Sequence, residues 1–197
     1  AGYFGWPLFV GNNFAYNRYD FATKTSGPRF DPLKPVNEAP QNTGLVNLPP
    51  AQPAFIYYPY AESPEFGPVV GKGSRNAMAG PVFYSSDYTD SNVKFPSYYN
   101  GKFFAYDWTR DIINIVTMTP IGDFVSMERF MPSARFDHPI DMQFAKDGSL
   151  YIIEYGKNWF SHNDDSKLTK ITFTAGNRKP LALATGKNTP FLWGFTR

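Results

Sequence analysis

Residues 135–156 read Arg135-Phe-Asp-His-Pro-Ile-Asp-Met-Gln-Phe-Ala-Lys-Asp-Gly-Ser-Leu-Tyr-Ile-Ile-Glu-Tyr-Gly156. Two apolar runs in this stretch flank Lys146-Asp147-Gly148. An Asp-Gly pair supplies the positive φ angles that a tight hairpin turn requires, and the runs carry the aromatic and β-branched residues that suit a pleated strand. The stretch therefore predicts a β-hairpin.

An earlier segment repeats the second half of this hairpin. Gly101-Lys-Phe-Phe-Ala-Tyr-Asp-Trp108 matches Gly148-Ser-Leu-Tyr-Ile-Ile-Glu-Tyr155 in its order of glycine, apolar residues, acid and aromatic. Each copy is followed by an alternating run, residues 113–118 and 168–173. A repeat of about 40 to 50 residues that is built from strands is typical of β-propeller blades. We therefore predict an all-β fold, and Asp107 and Glu154 should share one structural role in it.

The strand pattern predicts about two blades. The predicted strands are 55–60, 80–85, 102–108, 112–119, 124–130, 140–145, 150–155 and 168–174. Glycine, asparagine and proline dominate the first fifty residues, which predicts a long ordered loop there. A propeller closes with four to eight blades, typically of four strands each. We therefore expect the chain to be part of something larger, and residues 1–175 not to fold as an isolated monomer.

Composition excludes several classes of protein. The chain has no cysteine, so disulfides and thiolate metal sites are excluded. Its net charge of +2 comes without basic clusters, which argues against nucleic-acid partners. Runs of about 18 apolar residues are absent, so no membrane insertion is expected. The first residues lack the basic start and apolar core of an export signal, and we expect them to follow a cleaved or truncated end.

Several ordered blocks resemble the glucose/sorbosone dehydrogenase family. They are Gly2–Pro7, Asn42–Tyr60, Ala77–Tyr84, Pro139–Met142 and Asp147–Tyr151. Members of this family are six-bladed β-propellers, and those that bind pyrroloquinoline quinone are soluble sugar dehydrogenases. The resemblance covers residues 1–175 and implies the C-terminal blades of a partial six-bladed propeller with long ordered loops. The missing N-terminal blades, on the same polypeptide or on another chain, would then be a partner.

The nearest likeness is to a branch of that family found in large secreted bacterial proteins. In that branch the propeller is followed by an immunoglobulin-like module of the PKD type. Residues 176–197 resemble the linker and the start of such a module. The resemblance therefore implies an extracellular, cell-surface or periplasmic location.

The resemblance also implies cofactors, pyrroloquinoline quinone and calcium. The family's catalytic histidine and calcium loop belong to segments that this chain lacks, so no catalytic residue is assigned. Arg110 lies where the quinone enzymes place a lysine and an arginine, and His138 stands where relatives usually carry arginine. With Arg75, from a glycine-rich loop, they are the predicted cofactor-binding residues. The alternatives are an ion pair of Arg110 with Asp107 or Asp111, and a structural bond for Arg75.

Aromatic side chains in loops suggest a carbohydrate site. Sugar rings stack their C–H faces on aromatics, and Trp6 and Trp159 both lie in predicted loops, so they are the predicted substrate-binding residues. Trp108 and Tyr155 hold matched repeat positions and are expected in the core. Calcium could be bound by oxygen ligands in residues 163–165, but their spacing fits no EF-hand. The metal ligands therefore stay unassigned.

Two functions of different class follow. In the first, the chain belongs to a dehydrogenase that oxidises a sugar or alcohol with the quinone. In the second, the propeller is a non-catalytic extracellular module that binds carbohydrate or serves assembly. Histidine at position 138 in place of arginine favours the second.

Overall fold

The computed structural model describes residues 2–176. The chain divides into two compact units. They are an N-terminal unit, Ala1–Tyr58, and a C-terminal unit, Pro59–Arg197. Within the described residues the fold is all-β, with several antiparallel sheets and no closed ring of sheets. No helix in this range is long and apolar enough to cross a membrane. The predicted module at 176–197 falls, apart from Gly176, outside the described residues.

The N-terminal unit contains two short hairpins. Its strands are β1 (Phe9–Val10), β2 (Phe14–Ala15), β3 (Asn17–Asp20) and β4 (Thr25–Arg29). The prediction of an uninterrupted loop over the first fifty residues is therefore wrong. Left-handed residues make the tight turns possible: Gly11 and Asn13 (φ 61° and 64°) between β1 and β2, and Lys24 (φ 56°) between β3 and β4. The strands are too short for an alternating pattern to stand out.

The C-terminal unit contains two antiparallel sheets, one of four strands and one of three, whereas the strand pattern predicts two blades of four strands each. The first has the order β5 (Ala77–Val82), β6 (Phe103–Asp107), β7 (Ile112–Met118) and β8 (Phe124–Arg129). The second consists of β9 (Pro139–Phe144), β10 (Leu150–Glu154) and β11 (Lys167–Ile171), with β10 in the centre. The single helix in the described residues is α1 (Gly67–Val70), and 3-10 turns cover Ser85–Tyr88 and Ser97–Tyr99.

Seven of the eight predicted strands are confirmed within one to three residues at each end. The exception is 55–60, which forms no strand. Pro59 within this run has no N–H to donate to a ladder. The predicted hairpin is present, with Phe144 opposite Leu150. Its turn differs in detail, because only Gly148 has a positive φ (72°) and Ala145 N–H donates to the Ser149 carbonyl at 2.9 Å. The loop is a three-residue turn that ends in a left-handed glycine.

One face of each sheet contributes to a shared core. Phe104 pairs with Ile115 in the first sheet and Leu150 with Ile171 in the second, and all four are buried. Tyr106 of β6 joins the sheets by donating its hydroxyl to the Ile140 carbonyl at 2.9 Å. Aromatic rings fill the remaining space, with Phe95, Phe104, Phe130 and Phe144 in mutual edge-to-face or tilted contact. Much of the chain's aromatic content therefore serves packing.

Gly80 lies where β6 and β9 leave no room for a side chain, and this gives a first prediction. A Cβ atom there would lie 2.6 Å from the Phe104 carbonyl oxygen and 2.9 Å from Met142 Sδ. We expect Gly80→Ala to lower the free energy of unfolding by about 2 kcal/mol, measured by urea denaturation, because the backbone must shift. Gly27→Ala is the control, since its Cβ would meet only ordinary contacts at 3.5 Å or more. Equal stabilities of the two variants would contradict the tight approach.

Candidate functional site: the aromatic platform

Matched positions of the two sheets meet at one end of the C-terminal unit. Trp108 follows β6, Tyr155 follows β10, and their rings lie 5.8 Å apart. His138 precedes β9, and its ring meets the Trp108 ring edge-on at 4.5 Å. Tyr155 N–H donates to the His138 carbonyl at 3.0 Å. The repeat thus brings together side chains that are far apart in sequence.

Two exposed aromatics extend this cluster to the surface. Trp159 is 55% exposed and packs edge-on against Trp108 at 4.8 Å. Phe160 is 90% exposed and lies 5.2 Å from Trp159. We call Trp108, His138, Tyr155, Trp159 and Phe160 the aromatic platform. Its exposed part, Trp159 and Phe160, lies on a single loop. These two rings form an apolar surface that the rest of the C-terminal unit does not cover.

Asn163 anchors the loop that carries the exposed rings. Its side chain is buried and accepts the Asn158 N–H at 2.9 Å. The same amide donates to the carbonyl oxygens of Asn158 at 2.8 Å and Ser161 at 3.3 Å. The loop from Asn158 to Asn163 is therefore held from inside, and Trp159 and Phe160 project from a fixed backbone. His162 is almost fully exposed, as expected of a solvated loop histidine, and contacts Asp164 at 3.4 Å.

A polar pair borders the platform. Asp111 Oδ1 accepts the His138 backbone N–H at 2.8 Å and lies 3.2 Å from His138 Nδ1. The second contact is an ion-pair distance, but Nδ1 is not aligned for a hydrogen bond and is buried from solvent. Asp111 therefore orients the histidine through its main chain and faces the ring. The platform thus joins rings in edge-on contact to a carboxylate and an imidazole.

Three residues at the platform have left-handed backbones although none is glycine. Asp111, His138 and Phe160 have φ angles of 55°, 56° and 52°. Such conformations cost about 1 kcal/mol or more each for side chains of this kind, and they concentrate at sites where the surroundings enforce them. Their convergence here distinguishes the platform from ordinary core packing.

A charged group forms between Asp137, which precedes His138, and the strands β10 and β11. Lys167 Nζ lies 2.7 Å from Asp137 Oδ2 and 3.3 Å from Glu154 Oε2. Burial raises the pKa of the Asp137 carboxyl, but the hydrogen bond and charge of Lys167, with more distant cations, outweigh it and hold the pKa below its usual value. Burial lowers the pKa of Lys167, and its two carboxylate partners reverse that effect and raise it. Asp137 and Lys167 therefore both stay ionised around neutral pH.

Arg110 is adjacent to Asp111 and binds backbone. Each of its five guanidinium N–H groups can be assigned a carbonyl acceptor at 2.9 to 3.2 Å. The acceptors are Pro59, Val70, Gly71, Gly73 and Ser74. A cofactor carboxylate would have to replace these acceptors. Arg110 therefore holds the loop from Pro59 to Ser74 in place through hydrogen bonds to its backbone, and we call this role a clamp.

The other predicted residues lie elsewhere. Arg75 is exposed, and its guanidinium carbon is 4.4 Å from the Tyr60 ring centroid. Trp6 belongs to the N-terminal unit and is 73% exposed. The structure thus brings His138 and Trp159 together through Trp108. No group of three His, Cys, Asp or Glu side chains in residues 2–176 is placed to hold a metal ion.

Sequence reasoning did not find Asp111 or Phe160. Phe160 follows Trp159 directly, and two large aromatics between asparagine and serine in a polar loop are a readable signal of a surface site. Asp111 has no such signal, because its role depends on a contact with His138, far along the chain.

Comparison of the chain with family models, with curated proteins and with solved structures finds no match. The chemistry of the platform is therefore the available guide to function. Exposed rings next to a carboxylate and an imidazole can stack on the C–H face of a sugar and hydrogen-bond its hydroxyls.

Proposed function

We propose that this chain is a carbohydrate-binding module of an exported protein and that the aromatic platform is its ligand site. The observation that carries the proposal is the exposed Trp159–Phe160 pair on a loop anchored by Asn163. Exposed apolar groups that a protein holds in place rather than buries mark binding surfaces. A rigid loop also reduces the entropy lost when a ligand orders it.

The platform matches the two kinds of surface on a sugar ring. Trp159 and Phe160 offer apolar faces to the C–H groups, while the partly exposed Asp111 carboxylate offers oxygen acceptors to hydroxyls. The oxidation of a sugar or alcohol with a quinone is the alternative function. It would require Arg110 to release carbonyl acceptors in order to bind cofactor carboxylates. Because the Arg110 guanidinium already donates to backbone carbonyls, a carbohydrate-binding function is favoured over the oxidation of a sugar or alcohol.

The proposed scaffold is a section of a β-propeller. The repeated order of strands supports this, as does the contact of β5 with β9, the first strands of the two sheets. The outer face of the second sheet exposes Ile153 and Leu168, which pair across β10 and β11. Another sheet of the same repeat would cover this face. Further blades, on the same polypeptide or on another chain, are the partner that we propose for it.

The experiment is a binding measurement on the full chain, together with any further blades that it needs in order to fold. Soluble hexaoses of cellulose, xylan, mannan and chitin would be titrated by calorimetry against the natural sequence and against Trp159→Ala and Phe160→Ala. We expect one glycan class to bind, and Trp159→Ala to weaken it about tenfold, because the central exposed ring of the platform is lost. Phe160→Ala should weaken it about threefold, because this ring lies at the edge.

Tyr84→Ala serves as the matched control. Tyr84 is 50% exposed in the same unit and lies outside the platform. Its removal should leave the affinity unchanged. If no glycan binds, or if binding persists unchanged in both platform variants, the platform is not a carbohydrate site.

A further inference from the structure

We infer that the N-terminal unit carries a second ligand site, a groove beside Trp6 that takes a short neutral oligosaccharide. The groove has a volume of about 860 Å³. Strand β3, the turn at Trp6 and the segment 36–41 form its walls. Its size lies within the range of sites that enclose ligands of drug size. All its residues belong to the N-terminal unit, so it is distinct from the aromatic platform.

Hydrogen bonds within the unit hold the groove walls. Leu8 N–H and Phe9 N–H both donate to the Gly5 carbonyl at 2.8 Å, and the buried Phe9 ring packs edge-on against Phe30. On the opposite wall, Asn37 N–H donates to the Val46 carbonyl at 2.8 Å. The walls are thus fixed before a ligand arrives, which favours binding.

Exposed aromatics line the opening. Trp6 is 73% exposed, Tyr19 is 48% and Phe21 is 84%. The Tyr19 and Phe21 rings meet edge-on at 4.9 Å. Three large rings that stay exposed around one groove offer stacking surfaces to a flat ligand.

A paired acid and base give the groove both donors and acceptors. Arg18 bonds Glu38, and its guanidinium carbon lies 5.0 Å from the Phe30 ring centroid. The two side chains remain 35% and 60% exposed. Asp20 is occupied, because it accepts the N–H groups of Ala22 and Thr23. The charge of Arg18 is thus matched by Glu38, and the Asp20 carboxylate leaves one negative charge in the lining, which disfavours an anionic ligand.

The donors and acceptors decide between two neutral ligands. A proline-rich peptide offers carbonyl acceptors and few donors, so it would give the Glu38 carboxylate no hydrogen bond beyond the one from Arg18. Sugar hydroxyls both donate and accept, and they can satisfy Arg18 and Glu38 together. An oligosaccharide is therefore the ligand that the groove fits.

The test uses the full chain in a Trp159→Ala, Phe160→Ala background, which removes both exposed rings of the aromatic platform. Cellohexaose, xylohexaose, mannohexaose and chitohexaose, and a ten-residue polyproline peptide, would be titrated by calorimetry. We expect one hexaose to bind and the peptide not to bind. Trp6→Ala should weaken binding about tenfold and Phe21→Ala about threefold, because each removes a stacking ring. Glu38→Gln should weaken it about threefold, because a carboxylate acceptor is lost.

Phe4→Ala is the matched control, since Phe4 is 70% exposed in the same unit and lies outside the groove. Its affinity should equal that of the background, and far-ultraviolet circular dichroism should show all variants folded. Binding of the peptide in place of a hexaose would overturn the inference. Absence of hexaose binding, or binding that Trp6→Ala and Phe21→Ala leave unchanged, would do the same.

Discussion

Replacing Arg110 with methionine should lower the free energy of unfolding by about 4 kcal/mol, because five carbonyl groups lose a charged donor together. Methionine keeps much of the apolar stem and none of the N–H groups. The acceptors lie 36 to 51 residues away in sequence, so the guanidinium is the main tie between the β6–β7 turn and the loop from Pro59 to Ser74. Urea denaturation followed by tryptophan fluorescence would measure the loss.

Two further variants separate charge from geometry. Arg110→Lys keeps the charge but has three donors on one nitrogen, which cannot reach five carbonyls, so its stability should fall between methionine and the natural residue. Arg75→Met is the matched control, because Arg75 is exposed and its ring contact with Tyr60 contributes about 0.5 to 1 kcal/mol. An Arg110→Met chain within 1 kcal/mol of the natural one would show that water replaces the guanidinium without cost.

The same variant bears on the alternative function. If Arg110 acted as a ligand for a quinone, its loss would weaken binding of pyrroloquinoline quinone and leave stability nearly unchanged. If it acts as a clamp, stability falls whether or not the quinone is added. The two measurements therefore distinguish a cofactor ligand from a structural residue at the position where the family resemblance implies a ligand.

Local signals in the sequence predicted most of the C-terminal unit. The hairpin around Gly148 was predictable because a turn residue and two apolar runs lie within a few residues of each other. The shared positions of Asp107 and Glu154 were visible in the repeat. Arg110 was not predictable as a clamp, because its acceptors are backbone atoms and leave no side-chain pattern.

At the candidate site, too, only features with a local sequence signal were predictable. Trp159 was found because an aromatic in a polar loop is a local signal. The Asp111–His138 contact depends on two left-handed backbones brought together by the sheets, and neither residue type requires that conformation. The hairpins of the N-terminal unit were missed because strands of two to five residues are too short to display a period.

Truncating the matched carboxylates should destabilise both sheets, with Asp107→Ala costing about 4 kcal/mol and Glu154→Ala about 3 kcal/mol. Both side chains are buried, at 0% and 1% exposure. Asp107 accepts the N–H groups of Asn76, Thr109 and Arg110 at 2.9 to 3.0 Å, and the Thr109 hydroxyl. Its loss removes the carboxylate acceptor that these donors share.

Glu154 performs the equivalent task in the second sheet. It accepts the Asp137 N–H at 2.6 Å and the Thr169 hydroxyl, and it contacts Lys167. Each carboxylate thus ties the end of a central strand to the segment that leads into the first strand of its sheet, at Asn76 one residue before β5 and at Asp137 two residues before β9. The smaller effect expected for Glu154→Ala follows from Asp137, which still pairs with Lys167.

Asp141→Ala is the control for both variants, because that carboxylate is exposed and accepts only the adjacent Met142 N–H among its hydrogen bonds within residues 2–176. It should cost less than 1 kcal/mol in the same urea titration. Comparable losses for Asp107→Ala and Glu154→Ala would mean that the repeat preserves a hydrogen-bonding task while the acid changes length. If only Asp107→Ala destabilised the chain, the two sheets would resemble each other in strand order alone. One argument for the proposed propeller scaffold would then be lost.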